Sequence, residues 1–163
     1  MKKLKGITLA ELIASLAITL TVLLLVGTVI VTGIKVMYEN AEITAARTVG
    51  DSVYAFISNK LTFSDRIALN DEENTGNCIC VSDDFGHLLY NSEDIFGEEF
   101  YSGFLISIDC SAQGRDLIEL QINVVDNDDV QKQRYCARGL IKCLNADSLT
   151  FSDTAKQFKM YLG

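Results

Sequence analysis

Lys5-Gly6-Ile7-Thr8-Leu9-Ala10-Glu11-Leu12 opens the stretch that decides the fold, and the 23 residues from Leu12 to Ile34 carry no charge. At 1.5 Å per residue the uncharged run makes a helix of about 35 Å, enough to cross a hydrocarbon core of about 30 Å. A secretory signal has a shorter apolar core closed by a small-residue cleavage site; no Ala-x-Ala-like site closes this run. The run therefore reads as a membrane segment. Lys2, Lys3 and Lys5 precede it, and a basic flank stays on the cytoplasmic side, which places the rest of the chain outside the cytoplasm.

One residue does not fit a plain anchor. Glu11 stands at the entrance of the run, and no Lys or Arg lies between Ile7 and Ser15. A charged side chain costs roughly 2.5–3.5 kcal/mol near a bilayer centre and less near the interface. A carboxylate there without a nearby base points to a partner on another chain.

These residues resemble the prepilin-type signal of the type IV pilins and type II secretion pseudopilins: a short basic leader, then Gly6-Ile7-Thr8-Leu9-Ala10-Glu11, then uncharged residues. The resemblance covers about the first 30 residues. It implies cleavage between Gly6 and Ile7 by a prepilin peptidase, N-methylation of Ile7, and an assembly role for Glu11 as the fifth residue of the mature chain. The implied partners are that peptidase, other pilins or pseudopilins, the membrane, and indirectly an assembly platform with its ATPase. The chain departs from the common pattern with Ile at position 7, Ala at position 10 and no mid-helix proline; it contains no proline at all. Gly27 and Gly33 are the helix-weakening residues of the run; local bending in a filament and close helix packing in the membrane account for them equally.

Past Lys35 the helical pattern continues. Ile43, Ala46, Val49, Val53, Ile57 and Leu61 recur three and four apart, one apolar stripe at helix period, with Glu39, Glu42, Arg47 and Asp51 off it. The expected organisation is a leader at 1–6, a membrane and assembly half-helix at 7–34, an amphipathic half-helix at 35–61, and a β-rich head at 62–163. Cys78 to Ser82 and His87 to Tyr90 flank a turn and predict one hairpin; Tyr101 to Cys110 and Asp116 to Asp126 predict a second. Between Asp116 and Asp126, Ile118, Leu120, Ile122 and Val124 alternate with polar residues, as in a half-buried antiparallel strand. A further strand is expected from Arg134 to Lys142. The fold class is α+β: one small antiparallel sheet laid on the second half of a long N-terminal helix, which the resemblance makes a pilin-like arrangement.

Charge and motifs narrow the function classes. The chain has 14 Lys and Arg against 22 Asp and Glu; with the three leader lysines and Glu11 set aside, 11 bases face 21 acids. So acidic a body argues against direct nucleic-acid binding, which needs basic contacts to phosphate. No nucleophile elbow, phosphate loop, zinc-protease or dinucleotide motif occurs, so neither an enzyme nor a cofactor is expected. Cys78, Cys80, Cys110, Cys136 and Cys143 allow disulfides in an exported domain, with the pairing open and one thiol left over. His87, the single histidine, reads as a surface or pairing residue of a strand. Asp126, Asp128 and Asp129 offer oxygens to Ca²⁺, but the spacing is not that of an EF-hand and a solvated turn explains them equally well. The leading expectation is a minor pilin or pseudopilin. The alternatives are a single-pass membrane-anchored binding domain that never polymerises and an anchored exported enzyme.

Overall fold

The long stripe of helix-period residues forms one α-helix, α1 (Leu9–Phe63). The fold is seen in a computed structural model that describes residues 8–69, 77–82, 86–145, 148–151 and 159–162. The chain divides into two compact units, Met1–Ala41 and Glu42–Gly163. Every described residue of the first unit is exposed. In the second unit Ala46, Val49, Val53, Ile57 and Leu61 of α1 are fully buried. Full burial begins at Ala46, since Ile43, the first residue of the expected stripe, is exposed; a helix apolar on all sides has no core face, whereas a 3.6-residue stripe has one.

Strands follow the helix: β1 (Arg66–Leu69), β2 (Asn77–Val81), β3 (Leu88–Tyr90) and β4 (Glu93–Asp94), then the one-turn helix α2 (Glu98–Tyr101). β5 (Phe104–Ala112), β6 (Leu117–Asp126), β7 (Gln133–Lys142), β8 (Ser148–Phe151) and β9 (Lys159–Leu162) complete the order. β5, β6 and β7 make a three-stranded antiparallel meander. Ile106 and Ile108 of β5, Ile118, Leu120, Ile122 and Val124 of β6, and Ala137 and Ile141 of β7 turn inward. The remaining strands form a six-stranded sheet in the order β4-β3-β2-β9-β1-β8. Its inner row includes Ile67, Ile79, Leu88, Met160 and Leu162, and these join the α1 stripe and the meander in one apolar cluster.

The α+β layout and the long apolar helix agree with the sequence reading. The single sheet does not: the described strands form two, and the larger is mixed, because β1 and β8 pair parallel while its other pairs are antiparallel. The extra strands escape a periodicity reading because β1, β8 and β9 are four residues each, too short to display an alternation. Both expected hairpins form, as β2–β3 and β5–β6. Tyr101, expected in the second of them, lies in α2 instead. Ser102 and Gly103 follow it at φ 51° and 81°, a left-handed break that no strand carries. There the Tyr101 hydroxyl accepts the Leu88 N–H at 2.8 Å and the phenol is buried. α1 ends at Phe63, two residues beyond the expected Leu61. Ser64 Oγ donates to the Lys60 carbonyl, the Leu144 N–H to that of Thr62, and Asn145 Nδ2 to that of Phe63, so the last carbonyls of the helix find partners.

Candidate functional site

The first turn of α1 is a capping box. The Glu11 N–H donates to Thr8 Oγ1 at 3.3 Å. In return Glu11 Oε2 accepts the Thr8 N–H at 2.9 Å and the Thr8 hydroxyl at 3.0 Å. The Thr8 carbonyl accepts the Leu12 N–H, as an N-cap carbonyl does. Thr-x-x-Glu before an apolar run is the sequence signature of this motif. Reading Glu11 only for a basic partner missed it. The carboxylate is thus held within its own chain by two donors converging on one oxygen, and its negative charge sits against the positive end of the helix dipole.

Beyond the box the run presents hydrocarbon. Its five hydroxyl residues bond back along the helix: Ser15 Oγ to the Leu12 carbonyl, Thr19 to Ser15, Thr21 to Ala17, Thr28 to Leu25 and Thr32 to Thr28, all at 2.8–2.9 Å. A hydroxyl that donates to the carbonyl three or four residues back demands nothing of its surroundings. A Cβ added at Gly27 or Gly33 meets nothing within 4 Å, so no contact with a described residue requires either glycine. The helix is long and apolar enough to cross a membrane. Gly6 and Ile7 lie outside the described residues.

At the start of the second unit, Arg134 of β7 ties the helix to the sheet. Its Nη2 reaches Glu42 Oε2 at 2.8 Å and Asp126 Oδ2 at 2.9 Å. Hydrogen bonding to Asp126 foremost, with the Glu42 and Asp126 charges adding to it, raises the guanidinium pKa against the opposing effect of burial. The Arg134 hydrogen bond in turn lowers the Asp126 pKa from its ordinary value, helped by the Asp128 N–H. One residue on, the Tyr135 hydroxyl donates to Asp51 Oδ1 at 2.7 Å, and its ring lies where a Cβ on Gly50 would come within 2.6 Å. Gly50 is therefore one of the positions at which α1 and β7 approach closely, and Gly139 of β7, against Tyr54 of α1, is another.

The other expected sites have local roles. Asp126 serves Arg134 and also accepts the Asp128 N–H, while Asp129 accepts the Gln131 N–H. The three aspartates shape the β6–β7 turn, and among the described residues no group of three His, Cys, Asp or Glu is arranged to hold a metal. His87 stacks on Tyr101 at 4.0 Å, and its Nδ1 lies 3.0 Å from Asp94 Oδ2. Asp94 Oδ1 accepts the Phe96 and Gly97 N–H groups, so the histidine braces the β4–α2 connection.

The five cysteines are thiols, and no two lie at bonding distance. Cys78 and Cys80 share the outer face of β2, on either side of buried Ile79. Cys136 is exposed on β7, and Cys143 is buried. Burial, with a smaller contribution from Asp109, pushes the Cys110 thiol up to about 12; burial also raises Cys143, beside Asp116. The disulfides that an exported domain allows are therefore absent from this structure. Cys110 lies on β5, Cys136 on β7 and Cys143 just past the end of β7, while the α-carbons of Cys78 and Cys80 stand about 6.7 Å apart on one strand, near the upper limit for a bridge. No known protein family, characterised protein or solved structure matches the chain.

Proposed function

We propose that the chain is a minor pilin or pseudopilin, a structural subunit of a filament of the type IV pilus or type II secretion kind. The observation that carries the reading is the sequence Gly6-Ile7-Thr8-Leu9-Ala10-Glu11 ahead of an exposed apolar segment, with Glu11 the one charged residue from Ile7 to Ile34. Hydrolysis of the Gly6–Ile7 peptide bond would free an ammonium at Ile7, four residues before Glu11. Donor and acceptor from neighbouring subunits would then meet in an apolar setting. Coulomb attraction is strong there and desolvation offsets much of it, so the pair serves register and recruitment more than net stability. In this reading the basic leader stays cytoplasmic and the acidic head lies outside. The chain has no catalytic role, and its partners are the prepilin peptidase, other pilins and the assembly platform.

The exposed apolar helix is equally what a non-polymerising anchored domain would need, so Glu11 decides between the two. In cells with the intact assembly system, Glu11→Ala should be processed and fold normally, yet be lost from sheared filaments and from crosslinks to neighbouring subunits. Recovery of Glu11→Ala in filaments at the wild-type level would remove the assembly role given to that residue. Normal function with neither variant nor wild type in any filament would favour the anchored domain.

A further inference from the structure

We draw no further inference here: the strongest candidate, the half-buried thiol pair Cys78 and Cys80 on the outer face of β2 beside Lys159 and Tyr161 of β9, has no third ligand among the described residues and nothing in the structure shows what would cover or bind it.

Discussion

Thr8 and Glu11 solve two problems with one contact. The opening turn of a helix leaves N–H groups without partners, and a carboxylate at a membrane entrance needs donors; the capping box answers both. Thr8→Val removes the hydroxyl that donates to Glu11 and caps its N–H. Loss of an N-cap costs about 1 kcal/mol, roughly a fivefold shift in the opening of the first turn. Amide exchange of the full chain in detergent micelles should show faster exchange at Glu11 in Thr8→Val and near-normal exchange in Thr8→Ser; equal protection in all three would remove the box. The thiols offer a second test. Cys136 is exposed, whereas burial raises Cys110 to about 12, and the thiolate is the reactive form. A folded-state pKa above the unfolded value adds stability that is complete below the unfolded thiol pKa and is lost as pH rises toward 12. Mass spectrometry after brief alkylation at neutral pH should therefore find Cys136 modified first, and Cys110 modified only once denaturant is added. Early labelling of Cys110 would contradict its placement.

At the scale of elements, the second half of α1 is held to the sheets by an apolar stripe and by polar ties from consecutive residues of β7. Arg134 reaches Glu42 and Asp126, and Tyr135 reaches Asp51. Arg134→Met keeps much of the aliphatic bulk but leaves two carboxylates without their cation. Amide exchange over residues 42–49 should quicken, while the turns around Ile57 and Leu61 keep their protection. The effect should depend on pH. Folding lowers the Asp126 pKa, so this contribution is complete above the ordinary carboxylate range and fades as pH falls through the folded-state value. The difference between wild type and Arg134→Met should then shrink in acid. A difference that stays constant from neutral to strongly acidic pH would show that the tie is not ionic.

These elements also show what was legible. α1, β6 and β7 could be read because 55 and ten residues are enough to display a period. The four-residue strands β8 and β9 could not, because their pairing with β1 and β2 is set by the tertiary fold rather than by local pattern. Arg134 escaped for a similar reason. Its partners lie 92 and eight residues away in sequence, and nothing in the spacing pairs them. The Thr8–Glu11 box was the legible feature that went unread, since it needs only a Thr and a Glu three residues apart before an apolar run.

For the whole molecule, the chain divides into a unit whose described residues are all exposed and a unit that builds a core. A helix exposed on every side and apolar along 23 uncharged residues is unstable in water and needs lipid or other helices around it. The proposed function moves such a subunit from membrane to filament. Its first step, removal of the leader, is also where the proposal can be tested most directly. The measurement is the intact mass and N-terminal peptide of the protein purified from its native membrane or filaments. The account predicts a chain that begins at N-methylated Ile7; a chain still beginning at Met1, in cells that process other prepilins, would contradict it.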